Sequence, residues 1–340
     1  MRSQFASVAT GVALVAAAGC SGGGTPSTVV PSSAVVPLAV SRSGALSPVP
    51  FGIDRAPRHR LNLRAVSDAS VGFLYVGQFS ATPVQEYHLT NVKNKPPLCS
   101  LPGQGVNGIA VDQSGNLWVP NGTGGGQGYT QEYAPHCGAA MLQIADSNGQ
   151  PADAAFDRHH NIYILNIFGV SGKPGSIDVY DHTGNALRTL SDPSFNELIG
   201  IGIDAHDNAF VSNRTSSGSA TVEEFPHGKM PGMVLGGIQL GLPGAPQLDR
   251  NDNLIITDWN SYTLNVYAPP YTASPTITPM VGLSLWCPLD RAQTHLYCAD
   301  LGGSVDVYRY PGGAYDYSFT NGLTPSGFAT GSAPDPTTRL

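Results

Sequence analysis

The sequence predicts an all-β chain folded as a six-bladed β-propeller, and three observations carry that expectation. First, a short apolar-aromatic segment ending in an amide or acid recurs six times, its bulky residue falling at Tyr75, Trp118, Tyr163, Phe210, Ile255 and Tyr297, 42 to 47 residues apart. Second, each is followed by another segment whose aromatic falls at Tyr87, Tyr133, Tyr180, Phe225, Tyr267 and Tyr308. A fixed period of this length signals small sheets repeated around an axis, which leaves only short, protected strand edges. Third, Gly 41, Pro 28 and only 12% charged residues are poor material for long solvated helices, while 41% hydrophobic residues are enough to build a core.

Taken in order within one repeat, the first element is a small-residue segment: GIAVDQ (108–113), AAFDRH (154–159), GIDAHD (202–207), PQLDRN (246–251) and CPLDRA (287–292). Its Gly and Ala content suits a strand crowded against the axis. The Asp at 112, 157, 204, 249 and 290 then opens a tight turn, its carboxylate accepting from the next backbone amides. The second strands follow (GFLYVGQ, GNLWVPN, HNIYILN, DNAFVSN, DNLIITD and THLYCAD), and after them the third (VQEYHL, TQEYAP, IDVYDH, VEEFPH, LNVYAP and VDVYRY). Both alternate apolar and polar positions and favour β-branched and aromatic types. The first repeat begins at its second strand, so its inner strand is missing; residues 325–332 are expected to supply it by pairing with 71–78, joining the two ends of the propeller.

Ahead of the propeller, expected over 70–335, residues 1–19 read as a signal peptide, with Arg2 and a Val8–Ala18 apolar run too short to span a bilayer. Residues 20–69 read as a tether of Ser, Gly, Pro and small aliphatics. Arg55, Arg58, Arg60 and Arg64 near its end are either a solvated linker face or a contact for anionic lipid headgroups.

Ala17-Ala18-Gly19-Cys20 resembles the bacterial lipoprotein signal, with Ala17 where that family usually has Leu. The resemblance implies cleavage before Cys20 and a lipid on it, which would anchor the protein to a membrane of the bacterial cell envelope, facing the periplasm or the cell surface. Gly108-Ile-Ala-Val-Asp112-Gln-Ser-Gly115-Asn116-Leu-Trp-Val119 resembles the NHL repeat and the wider group of SMP-30/gluconolactonase-like and YncE-like proteins, over roughly residues 70–332. That resemblance implies the same propeller fold. Thr257 to Tyr267 looks like the SMP-30 segment whose Asp is metal ligand and base, which implies that role for Asp258. Gly244 stands where the family has a ligand Asn, and Asn107-Gly108 carries the matching dipeptide in blade two instead.

With Cys20 set aside, four cysteines remain. If Leu289 pairs with Leu296, then Cys287 and Cys298 lie opposite on antiparallel strands, within disulfide reach. Cys99 and Cys137 fall at the outer strands of blades one and two, and either join those blades or stay as buried thiols.

Second strands end in Gln78, Asn121, Asn166, Asn213, Asp258 and Asp300, one per blade on one face, with Asn107, Asp153 and Glu197 entering nearby. Such a ring of oxygens either takes Ca²⁺ or another hard divalent cation, or sugar-like hydroxyls, or else caps loop backbone. Trp259, Trp286, Phe168, Tyr129 and Arg214 are its candidate walls. On the opposite face, His136, His159, His160, His182, His206 and His227 are scattered and read as solvated turn residues. A net charge of −7 argues against a nucleic-acid partner, and neither a Gly-x-Ser-x-Gly nucleophile turn nor a phosphate loop occurs. Two functions stay open: a lipid-anchored module binding a protein or glycan of the envelope, or a metal-dependent lactonase-like hydrolase or lyase centred on Asp258.

Overall fold

A second strand such as Ile162–Gly169 is apolar at consecutive positions because neighbouring sheets cover both of its faces. The computed structural model describes residues 72–78, 84–89, 92–102, 107–122 and 127–320, with the backbone of 329–334, all within the compact unit Val66–Leu340. Residues 1–69, with the expected signal, tether and Cys20, lie outside the described residues. Among the described residues no helix is long and apolar enough to cross a membrane.

Six antiparallel sheets follow one another along the chain. From the axis outward, blade one comprises Ala329–Pro334, Phe73–Gln78, Val84–His88 and Cys99–Leu101. Blade two is Ala110–Val111, Leu117–Gly122, Gly128–Tyr133 and Ala140–Asp146. Blade three is Gly149–Phe156, Ile162–Gly169, Ser176–Tyr180 and Ala186–Leu190; blade four is Glu197–Ile203, Ala209–Arg214, Ala220–Phe225 and Met233–Val234. Blade five is Gln247–Leu248, Leu254–Asp258, Thr263–Tyr267 and Thr276–Pro279. Blade six is His295–Asp300, Ser304–Arg309 and Tyr315–Phe319, its inner edge held by the isolated bridges Ser284↔Asp300 and Leu289↔Leu296.

Packing closes these sheets into a ring. Each of six buried clusters draws on two successive blades, and one of them joins blade six to blade one through Tyr297, Val305, Val307 and Phe319 against Leu74, Val76 and Tyr87. The period of the sequence explains this regularity. Side chains alternate across a strand, so the bulky second-strand residue of every repeat (Tyr75, Trp118, Tyr163, Phe210, Ile255, Tyr297) faces the next blade. The third-strand aromatic of every repeat faces the blade before.

The chain ends meet as expected, though a few residues later: Leu74↔Pro334 through Gln78↔Ala329 pair antiparallel, while 325–328 lie outside the described residues. The turn Asp residues behave as read from sequence. Oδ1 of Asp112, Asp157, Asp204 and Asp249 each accepts from backbone amides two and four residues on at 2.8–2.9 Å, and Asp290 accepts from Thr294 at 2.7 Å. Both disulfides form. Cys287–Cys298 lies inside blade six, beside the Leu289↔Leu296 bridge, and Cys99–Cys137 ties blade one to blade two across 6.3 Å between Cα atoms.

Candidate functional site

The six strand ends at the mouth are all buried, none more than 8% exposed. For Asn213, Asp258 and Asp300 the partners include the loop leading into the same blade. Asn213 accepts from the Asn196 amide at 3.0 Å and donates to the Ser194 carbonyl at 3.0 Å. Asp258 accepts from the amides of Gly241 (3.1 Å), Leu242 (3.0 Å) and Asn260 (3.0 Å) and from the Ser261 hydroxyl (2.9 Å). Burial opposes ionisation of Asp258, but these four donors outweigh it and hold the carboxyl below its ordinary range. Asp300 accepts from the amides of Leu283 (2.8 Å) and Gly302. Asn121 donates to the Val119 carbonyl at 2.7 Å, and Gln78 to Gln85 at 3.3 Å. Glu197 pairs with Arg214 at 3.4 Å, across the sheet of blade four. Asn107 is half-buried at the entry to blade two, and Tyr129, Phe168 and Trp259 are half-buried around the mouth.

A second tier of polar side chains escaped the sequence reading. Two residues before every third-strand aromatic stands a buried Gln85, Gln131, Asp178, Glu223, Asn265 or Asp306. In blade three, Asn166 Nδ2 donates to Asp178 at 2.9 Å and to Asp146 at 3.0 Å, and burial together with Asp178 pushes the Asp146 carboxyl up. In blade six, burial and then Asp300 push Asp306 up to about 6. The signal was present as a polar position recurring inside otherwise apolar strands.

At the axis the inner strands are drawn together. The Gly108 amide donates to Ala152 O at 2.6 Å and the Ala245 amide to Leu285 O at 2.7 Å, each reaching the next blade. Asp153, expected at the mouth, is fully enclosed here and accepts from the amides of Ala154 (2.9 Å) and Ile201 (3.0 Å). Burial pushes its carboxyl up to about 7 against the pull of these donors. Trp286, expected as a mouth wall, lies beside it with its indole N–H short of hydrogen-bond geometry. A Cβ on Gly108 would collide with the Asp153 carboxylate and come within 2.7 Å of Trp286 Nε1, so only glycine admits this approach. An axial cavity of about 220 Å³ runs from Asp153 and Trp286 to Val111, Phe156, Ile203, Leu248 and Leu289, the residues just before the turns.

A hard cation needs several oxygens with free lone pairs. Every Asp258 oxygen already accepts from the protein, and Gly244 brings no side chain, so the residues around Asp258 do not fit a divalent ion. Among the described residues two other sets bring three ligand-type atoms within 4.8 Å of one another. In one, Cys99 and Cys137 are oxidised to a disulfide beside Glu86; the other, Asp204, His206 and Asp252, lies on the opposite face.

No family model matches the chain, and no curated protein matches it. Solved structures do. The chain is similar to a chain of a nidogen/laminin complex, with 15% identity, a TM-score of 0.66, and coverage of 78% of this chain and 98% of that one. It is also similar to a gluconolactonase from Xanthomonas campestris, with 16% identity, a TM-score of 0.55, and coverage of 67% and 79%. The shared feature is the six-bladed β-propeller. At these identities the likeness is one of fold, in keeping with the resemblance read from the repeats.

Proposed function

We propose that this propeller is a lipid-anchored binding module of the bacterial cell envelope, presenting its mouth loops to a protein or glycan, and that it turns over no substrate. One observation carries the reading: the oxygens that a hydrolase would need at Asp258 are committed to Gly241, Leu242, Asn260 and Ser261. Likeness to a propeller from a complex of two proteins supports it, since mouth loops held by buried caps make a rigid rim for a partner. Cys20, in the sequence context of a lipoprotein signal, supports the anchor.

Fractionation of cells expressing the wild type and Cys20→Ser tests the anchor; the wild type is expected with membranes and the variant in the soluble fraction, and a membrane-bound variant overturns it. Melting with Ca²⁺, Mn²⁺ and Zn²⁺, alongside lactone hydrolysis, tests the module, because an ion that binds the folded state must raise its stability. No shift and no turnover are expected. A shift with turnover abolished in Asp258→Ala overturns the binding reading in favour of a lactonase-like hydrolase.

A further inference from the structure

Away from the mouth, the six blade interfaces end at the turn face, and the group that fills each end differs. The residue just before the third-strand aromatic is an acid in blades one, two and four: Glu86, Glu132 and Glu224. Beside Glu86 sits a ring from blade two, the His136 imidazole, whose Nδ1 lies 3.1 Å from Oε1 and whose ring packs edge-on to Phe73 at 4.3 Å. Beside Glu224 and the turn acid Asp204 sits a ring from blade five. Tyr271 packs edge-on to Phe210 at 5.5 Å, and burial, then Glu224 and Asp204, keep its phenol protonated.

Blade two has the same acid and the same turn, and blade three brings Phe156, His159, His160 and His182 beside it but no ring at the position of Tyr271. Tyr271 occupies the last position of a turn closed by its amide on Ala268 O, at φ 63°. The matching turn of blade three is closed by the Gly184 amide on Asp181 O, at φ 84°, and glycine has no side chain to contribute. Here lies a cleft of about 520 Å³, lined by Trp118, Phe156, Ile162 and Met141, by the acids Asp112 and Glu132, and by the imidazoles of His159, His160 and His182. Trp118 and Phe156 stand 5.9 Å apart between ring centres. Asn116 Nδ2 bridges Asp112 (3.1 Å) and Glu132 Oε1 (2.9 Å). Glu132 is only 8% exposed, and burial followed by Asp112 pushes its carboxyl up, so a positive partner would lower its energy.

We propose that the cleft between blades two and three binds a small aromatic ligand bearing a protonated amine, its ring against Trp118 and Phe156 and its ammonium on Glu132. The molecule itself supplies one precedent: at the equivalent acid of blade one, the His136 imidazole sits on Glu86 at 3.1 Å, whereas the Tyr271 hydroxyl donates to the Asp252 carbonyl at 2.8 Å.

Calorimetric titration of the full chain with tyramine tests this. Tyramine is expected to bind one to one, and p-cresol, the same ring without the amine, at least ten-fold more weakly. Glu132→Gln retains the acceptor for Asn116 and is expected to cost tyramine ten-fold or more while leaving p-cresol unchanged. Glu224→Gln, whose site is already filled, is expected to change neither. Met141→Trp at the open lip fills the cleft and is expected to block both ligands, which covers the case in which Glu132→Gln does not fold. Tyramine giving no binding at millimolar concentration, equal affinity for the two ligands, or an unaltered affinity in either cleft variant overturns the proposal.

Discussion

Asp258 at the mouth and Asp204 on the opposite face both end a strand and both accept hydrogen bonds from backbone amides, yet their partners lie at very different distances along the chain. Asp204 serves His206 and Asn208, two and four residues on, and closes one hairpin. Asp258 serves Gly241 and Leu242, seventeen and sixteen residues back, as well as Asn260 and Ser261. One face therefore uses its acids in local turns, with a cleft between blades two and three, and the other uses Asp258 to crosslink loops with both of its oxygens occupied. A ring of acids and amides in a sequence does not distinguish these uses, because both need the same atoms.

Both faces presuppose a closed ring, so the largest expected effect comes from opening it. Truncation before Ala329 removes the strand that pairs with Leu74 to Gln78. The interface of blades one and six is then left without its inner edge, and the buried Leu74, Val76, Tyr297 and Val305 cluster sits beside unpaired backbone. The truncated chain is expected to lose its cooperative thermal transition by circular dichroism, and an unchanged melting curve would show that the ring is held shut some other way.

Next in size is the acid at the axis. The ordinary carboxyl value is 3.8, and Asp153 stands at about 7 because burial favours its neutral form. The folded state thus holds this proton more tightly than the unfolded chain does. Stability is complete below pH about 4 and is lost as pH rises through about 7, by up to about 4 kcal/mol for a shift of this size. Asp306, at about 6 for reasons of burial and Asp300, acts in the same direction. Asp153→Asn keeps the shape and removes the titration. Denaturant unfolding is expected to show its advantage over the wild type growing by about 3 kcal/mol from pH 5 to pH 8. A wild type equally stable at both values would mean that water reaches this carboxylate.

Much of the ring was legible in the residues. Bulky positions such as Trp118 and Tyr133 repeat because each must reach a neighbouring blade, and a burial requirement of that kind writes itself as a period. The Leu289–Leu296 register, and with it the Cys287–Cys298 bond, followed from strand pairing alone. What stayed hidden depends on the third dimension. Asp153 and Trp286 looked like mouth residues because their positions along the strand say nothing of how tightly Gly108 and Ala245 draw the inner strands together. The cleft beside Glu132 was equally hidden, since it brings Asp112 and Glu132 of blade two together with Phe156 and His182 of blade three, residues far apart by chain that meet only across a blade interface.

The smallest expected effect separates the two faces most sharply. Asp204→Ala frees amides that stand at the exposed rim, where water replaces the lost acceptor, so the cost should resemble that of losing a cap, about 1 kcal/mol. Asp258→Ala leaves the half-buried amides of Gly241 and Leu242 without their acceptor and unties two loops at once, so it should cost more, about 2 kcal/mol in all. Asp258→Asn keeps an oxygen acceptor and should fall between them. Urea unfolding of the three variants is expected to rank them Asp204→Ala, Asp258→Asn, Asp258→Ala in increasing damage. If Asp258→Ala proved no worse than Asp204→Ala, the mouth carboxylate would not be a crosslink between loops, its oxygens would be available to a ligand, and the case for chemistry at that face would reopen.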